Sequence, residues 1–420
     1  MNETQTPTDS HTIVIPTYNR PELLAGLLTY YHARASWIRL LILDSSRDEI
    51  KQQNATMMSQ LGDAVSHIIY REDINTTTKL INGLASVSTQ YVSFCADDDL
   101  VFPLGLRKSI SFLQENPGYV CAHGLYLNFR TERRDIRLTG EYASPSIEAE
   151  NSGARIFQLC QKYESLFYAV YRTADARQIF PALESIETAH FQELFQSVAS
   201  VIHGKIKRLP LFYGARRTGP PADAAREKWQ TYAWFADNPA EFLDHYRQYR
   251  EATWLYCQTS MRDPQWSQED FYRILDLSHA VYFSAACPAD YFFSQLQHLW
   301  PRDTYGRFGR LDTLTEAGKM IMLKRLLLPG KDEPMDALDQ LRLASDVRCW
   351  ADSGLFGGTI YLYQSSRGYA KLFQMNFRAN VSVVDRWRCR LPKTLNWLAA
   401  NAQFQDAYTQ LCHYLGKAPK

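Results

Sequence analysis

The chain has 420 residues and a formal net charge of +1 at pH 7, with 45% apolar and 22% charged residues. That length allows two domains or one large domain with an appendage, and the composition is ordinary for a globular protein. Near-neutral charge excludes a strong general affinity for polyanions, so no nucleic-acid partner is expected.

In chain order, residues 1–10 are polar and lack the apolar h-region of a signal peptide. Residues 11–15 (HTIVI) form a short apolar strand, broken by Pro16-Thr17-Tyr18-Asn19-Arg20. Pro21 opens a helix with Leu23, Leu24, Leu27 and Leu28 on one face. A second strand, 38–43, ends on Asp44-Ser45-Ser46; a helix and a third strand, 66–70, follow. Residues 76–87 have helical spacing at Leu80, Ile81 and Leu84. They lead into the apolar strand Tyr91-Val92-Ser93-Phe94-Cys95, which delivers Asp97, Asp98 and Asp99 to its C-terminal end. Strand–helix alternation at this spacing predicts βαβ units and a parallel sheet. Ligands of such sheets gather beyond the carboxyl ends of the strands, where the three polar turns fall.

Three adjacent carboxylates repel one another, so at the end of a core strand they call for a counter-ion. Hard oxygen ligands there suit Mg²⁺ or Mn²⁺, and a divalent ion suits a diphosphate. The competing reading is a solvated turn, since Asp is a good turn and N-cap residue. No GxGxxG follows the first strand and no GxxxxGK[ST] occurs, which sets aside dinucleotide-binding and P-loop sites.

Further on, 104–113 is helical, and 119–123 and 125–129 read as two strands about Gly124. Residues 130–137 form a charged hairpin or loop, and 140–153, rich in Ser, Pro, Gly and Glu, a mobile loop over the site. A helix at 154–163, a strand at 167–171, a helix at 189–201 and a last strand at 205–213 complete this part. Gly219-Pro220-Pro221 is the best domain boundary. It divides the chain into 1–221 and a mainly α-helical 222–420, with helices at 227–235, 239–259, 268–283, 289–299, 314–328, 333–343 and 395–414. Strand-like pieces there are 360–363 and 381–384. Segments 319–328 and 386–390 are basic, which leaves peripheral membrane contact open beside packing of a helix face on the first domain. The eight cysteines include no CxxC pair and no metal-ligand spacing, and no apolar run reaches a membrane span. A cytoplasmic protein with buried, reduced thiols is the expectation.

The first 220 residues or so resemble the GT-A domain of the family-2 glycosyltransferases. The resemblance is carried by Ile15-Pro16-Thr17-Tyr18-Asn19-Arg20, the strand ending at Asp44, the helix with Lys79 and Asn82-Gly83, and the strand ending in Asp97-Asp98-Asp99. It implies an α/β fold with a Rossmann-like, mostly parallel sheet flanked by helices. It also implies inverting, metal-dependent transfer of a sugar, hexosyl in type, from a nucleotide-diphosphate sugar to a hydroxyl of a glycan, lipid-linked or protein acceptor.

By position, Pro16, Thr17, Tyr18 and Arg20 would shape the nucleotide pocket, and Asp44 would bind the base or ribose. Lys79 could contact the diphosphate. In the DXD-type triplet, Asp97 would face the ribose beside Asp98, and Asp99 the metal. Two departures from the family's pattern are Ala96 in place of an opening Asp and Ser45 after Asp44.

The family's base is an acid on a later helix, usually in a Glu-Asp pair; here Gln192-Glu193 stands, with Glu193 the candidate and His190 and Glu187 nearby. Arg216 and Arg217 could meet a diphosphate, though a loop with ordinary surface charge is the preferred reading. The helical half would recognise the acceptor or form a homo-oligomer. The half-missing Glu-Asp pair keeps a second class open, a non-catalytic nucleotide-sugar-binding or assembly protein on the same fold.

Overall fold

The computed structural model describes residues 10–132, 135–142, 146–161, 163–218, 239–260, 266–283 and 402–417. Gly219-Pro220-Pro221, the expected helices at 227–235, 289–299, 314–328 and 333–343, both late strands and both basic segments lie outside them.

A mixed nine-stranded sheet organises the described residues. Its parallel part runs β3 (Val65–Ile69), β2 (Arg39–Asp44), β1 (His11–Thr17), β4 (Tyr91–Phe94). The sheet continues through antiparallel β8 (Val170–Arg172) to β6 (Tyr119–Glu132), β9 (Lys205–Arg217) and the two-residue β5 (Leu100–Val101), while β7 (Asp135–Tyr142) hairpins onto β6. The parallel strands are apolar on both faces because both are covered. Alternation splits one strand between two cores: Val14 joins Leu41, Leu43, Val92 and Phe94 on one face, while Ile13 and Ile15 join Leu40, Ile42 and Tyr91 on the other.

The second face is covered by α1 (Pro21–Arg34) and α4 (Pro103–Glu115), both opened by proline. The first is covered by α3 (Thr76–Ala85), α5 (Ser152–Gln161), α6 (Thr173–Ile179) and α7 (Ala189–His203); α2 (Asp48–Met58) links β2 to β3. Gly83 lets α3 lie close on β2, since a Cβ there would fall 2.5 Å from Leu43 Cδ1.

Three expectations change. The strands at 119–123 and 125–129 are one strand, with the register shifting around Gly124, where a Cβ would meet the Leu211 carbonyl at 2.5 Å. Residues 140–153 are not a free loop: β7 runs to Tyr142, buried Ile147 bridges Ile206, and α5 begins at Ser152. Glu148 and Glu150 there pair with Lys207 and Lys205 of β9, so the polar composition reflects cross-links to the sheet.

The third concerns the helices after residue 221. The described ones, α8 (Pro239–Ser260) and α9 (Gln268–Phe283), extend the first core rather than form one of their own. Phe191 of α7 stacks on Tyr249 of α8 at 5.2 Å, and Trp266 Nε1, just before α9, donates to Ser152 Oγ at 3.2 Å. Between them lies a buried pair, Arg250 Nη1 to Asp276 Oδ2 at 2.9 Å, with Tyr246 Oη donating to Asp276 Oδ1 at 2.7 Å. On the opposite face α10 (Ala402–Tyr414) returns to α1, where Tyr30 Oη donates to Gln410 Oε1 at 2.6 Å. Among the described residues no helix is long and apolar enough to cross a membrane. The thiols of Cys95, Cys121, Cys160 and Cys412 are buried and form no disulfide.

Burial depresses His123 and His279 to about 4. His279 is held neutral: its Nδ1–H donates to Leu275 O at 2.8 Å, and Nε2 accepts from Tyr249 Oη at 3.0 Å. An unfolded histidine titrates near 6.5, so between about 6.5 and 4 the unfolded chain binds more protons and stability falls as pH falls. Other groups titrate in the same window, so the difference between variant and parent carries the test. Urea midpoints for His279→Gln should decline less steeply between pH 7 and pH 4.5 than those of the parent chain.

Candidate functional site

The site is built where β1, β2 and β4 end together. Thr17 closes β1, and Asn19 adopts a left-handed φ of 55°, tolerated because both ends of the residue are tied. Its N–H donates to Ser46 Oγ at 2.8 Å and its Oδ1 accepts from the Arg47 N–H at 2.9 Å. This clasp fixes the β1–α1 turn against the turn after β2, which sets the Cα of Arg20. Pro16 lies within β1, and Tyr18 is half exposed, its hydroxyl donating to Glu72 at 3.0 Å.

Asp44 is buried with no exposed surface. Its Oδ1 accepts from the Ser46 N–H at 2.8 Å, and its Oδ2 accepts from Asn54 Nδ2 at 2.8 Å and lies 3.3 Å from His67 Nε2. Burial alone would raise its pKa, but these bonds from His67, Asn54 and Ser46 hold it well below the usual carboxylate range. Expected to face a base or ribose, Asp44 instead organises the turn as the chain stands. Lys79, expected near a diphosphate, is buried too: Nζ donates to Thr17 O at 3.1 Å and Ser45 Oγ at 2.8 Å, and burial lowers its pKa.

The acidic triplet lies beside this turn. Asp97, Asp98 and Asp99 are 3%, 7% and 5% exposed. Thr17 Oγ1 donates to Asp97 Oδ2 at 2.8 Å. A single guanidinium nitrogen, Arg20 Nη1, bridges Asp97 Oδ1 at 3.1 Å and Asp98 Oδ2 at 3.2 Å. Asp99 is held by the approach to β8 and the end of β9. Tyr168 Oη donates to its Oδ2 at 2.5 Å, the Arg217 N–H to its Oδ1 at 2.6 Å, and Arg216 Nε lies 3.9 Å from Oδ2. Arg217 Nε also donates to Asp98 O at 3.3 Å, and the Arg216 guanidinium lies over the Tyr168 ring at 5.1 Å. The two arginines, expected as ordinary loop charge, are the end of β9, pinned beside the acids by β5–β9 pairing of Leu100 with Ala215. Nothing local in the sequence marks that partnership.

A cleft of about 580 Å³ opens beside the partners of the triplet rather than on the acids themselves. Arg20, Ala96, Tyr168 and Arg216 line it on the sheet side, and Glu187 and Glu193 on the side of α7. Glu193 is exposed and directed to this space, whereas its neighbour Gln192 is buried. Gln192 is spent on structure, accepting from Thr77 Oγ1 at 2.5 Å and donating to Ile186 O at 2.7 Å, which ties α7 to α3. Glu187 lies 3.6 Å from His245 of α8, and burial lowers the pKa of His190 to about 4.

The residues fit a divalent cation at one place. Among the described residues no three His, Cys, Asp or Glu side chains form a metal cluster. Asp97 and Asp98, however, already share a cationic stand-in, the Arg20 nitrogen, between two hard oxygens. Burial pushes Asp97 up to about 6 despite the bonds from Thr17 and Arg20, and raises Asp99 to about 6 as well. Two carboxylates completed by substrate phosphates are a usual Mg²⁺ arrangement. Asp99, expected as the ligand, has both oxygens engaged by Tyr168 and Arg217, so the fit moves to the Asp97–Asp98 pair.

Residues 12–173 match the family described as glycosyl transferase family 2. No curated protein matches the chain. Among solved structures, S. aureus TarS is similar at 13% identity and TM-score 0.40, over 78% of this chain and 50% of that one. The chain thus spans about half the length of that relative. TarS 1–349 in complex with UDP-GlcNAc is similar at 12% identity and TM-score 0.41, over 78% and 83%. The mannosyltransferase PcManGT from Pyrobaculum calidifontis, in complex with GDP-Man and Mn²⁺, is similar at 12% identity and TM-score 0.38, over 76% and 88%.

The Asp44 network gives a stability prediction independent of any ligand. Asp44→Ala strands two buried donors, the Ser46 N–H and Asn54 Nδ2, and one partly buried, His67 Nε2, and should cost roughly 3 kcal/mol in urea unfolding. Asp44→Asn should cost less, because Asn54 Oδ1 is without a partner and the amide can turn to present it.

Proposed function

We propose that this chain is a metal-dependent, inverting glycosyltransferase of hexosyl type. It would move sugar from a nucleotide-diphosphate sugar to a hydroxyl of a glycan or glycoconjugate. The observation that carries this reading is one cleft with Glu193 on one wall and, on the other, Arg20 and Arg216, the arginines that reach the buried acids behind them. The family match over residues 12–173 supports the reaction class.

In this reading the diphosphate lies toward Arg20 and Arg216, whose guanidinium groups suit phosphate oxygens. Pro16, Thr17 and Tyr18 border the nucleoside, with Asp44 and Lys79 shaping the turns beneath it. Asp97 and Asp98 would hold a divalent cation, which when bound supplies positive charge against the leaving diphosphate. Glu193 takes the proton of the acceptor hydroxyl as that oxygen attacks the anomeric carbon from the face opposite the diphosphate. The bond from carbon to the diphosphate oxygen breaks, the electron pair leaves with the nucleoside diphosphate, and the configuration inverts. Phe167, partly exposed in the cleft, offers a ring on which a sugar can stack.

We assign donor binding to residues 1–221 and acceptor recognition or self-association to 222–420. α8 and α9 still belong to the first core. Buried thiols favour a reducing, cytoplasmic setting. Contact with a membrane surface is open to the basic segments.

Two measurements test the assignment. Thermal unfolding with UDP, GDP, CDP and dTDP should rise for one of them, and more so with Mn²⁺, because ligands of the native state stabilise it. Glu193→Gln should lower sugar transfer, and donor hydrolysis in Mn²⁺, by about 10²–10⁴-fold while that nucleotide's affinity stays within about twofold. Parent-rate transfer by Glu193→Gln, with loss in Glu187→Gln or His190→Ala, would move the base along the helix. No donor hydrolysis by the parent chain would favour the non-catalytic reading.

A further inference from the structure

We infer that Arg20 is a resident counter-ion of the acidic pair, exchanged for a divalent cation when donor binds and swung into the cleft to meet the diphosphate. This rests on the donor site proposed above and concerns how that site is kept closed to cations without donor.

The case is geometric. Arg20 Nη1 occupies the position between Asp97 Oδ1 and Asp98 Oδ2, at 3.1 and 3.2 Å, where a bridging cation would sit. Asp97 Oδ2 is taken by Thr17 Oγ1 at 2.8 Å, so a cation must approach Asp97 through the oxygen that Arg20 holds. Asp99 offers no way around, with one oxygen accepting from Tyr168 Oη and the other from the Arg217 N–H. Lys79 cannot replace Arg20, since its Nζ is held by Thr17 O and Ser45 Oγ. Guanidinium and cation are therefore mutually exclusive on this pair.

Arg20 is also placed to move. Its side chain is 37% exposed above two buried acids, and it lines the cleft. The backbone beneath it is clasped by Asn19 to Ser46 and Arg47, so exchange needs only side-chain rotation. A displaced guanidinium would face the diphosphate and form charge-assisted bonds to it. Cation and diphosphate then favour one another through Arg20, and by linkage the coupling is reciprocal.

The test uses the full chain and Mn²⁺ alone, read by the free-Mn²⁺ EPR signal, in the parent, Arg20→Gln and Arg20→Ala. Thermal unfolding confirms that each is folded. Partly exposed ion pairs contribute little each, so removing the competitor should tighten Mn²⁺ binding by roughly 3–10-fold. Arg20→Lys, which keeps a competing charge, should stay near the parent value. In the same variants the nucleotide identified by the panel should bind more weakly, and Mn²⁺ should enhance its binding less than in the parent. Unchanged or weaker Mn²⁺ binding in both Arg20→Gln and Arg20→Ala overturns the exchange, as does no Mn²⁺ binding in any of the proteins. Failure of every nucleotide to bind the parent would overturn the donor-site reading instead, and the Mn²⁺ titrations would still decide the role of Arg20.

Discussion

Three carboxylates buried within one turn are the constraint on which the rest of this structure depends. Isolated, they could not remain ionised in an apolar sheet end, because desolvation penalises each charge and each penalises its neighbours. The chain answers from three distant segments. The β1–α1 turn brings Thr17 and Arg20, the approach to β8 brings Tyr168, and the end of β9 brings Arg216 and the Arg217 N–H. The parallel and antiparallel parts of the sheet therefore meet at the triplet, and the short β5 exists to carry the acids onto β9.

The cleft follows from the same arrangement. Its sheet-side wall is the set of counter-ions, and its other wall is α7, whose position is set from behind. Thr77 and Gln192 tie α7 to α3, and the rings of α8 pack on Phe191. Distance between the walls thus depends on residues far beyond the family match. Glu193 stays exposed on a helix whose neighbouring side chains are almost all buried.

Much of the fold was legible. Apolar runs of strand length with polar turns at their ends identified β1 to β4 and placed Asp44 and the triplet at one edge. Continuous strands around Gly124 were not legible, because glycine weakens the local strand signal although packing against Leu211 requires it. The segment 140–153 has loop composition, and only the sheet shows that Glu148 and Glu150 answer Lys207 and Lys205. The arginines that end β9 were illegible for the same reason. A charge at a strand end looks solvated until the strand's partner, more than a hundred residues earlier, is known. Asp44 was placed correctly on its turn, but Asn54 and His67, which use its oxygens, come from two other elements.

Counter-ions supplied from so many directions raise the question of why the acids are buried there at all. Replacing a buried ion network with well-packed apolar residues is often neutral or stabilising, so stability alone does not account for the triplet. The partition of partners separates its members instead. Asp99 is held by a hydroxyl and a backbone N–H fixed in the sheet, which makes it a strut between β5 and β9. Asp97 and Asp98 share one partly exposed, rotatable side chain, and a single nitrogen serves both. A strut is expected to be rigid, whereas a pair whose counter-ion can leave is expected where another cation must arrive. The same turn thus contains the acid that holds the sheet together and the two whose charge is available for chemistry.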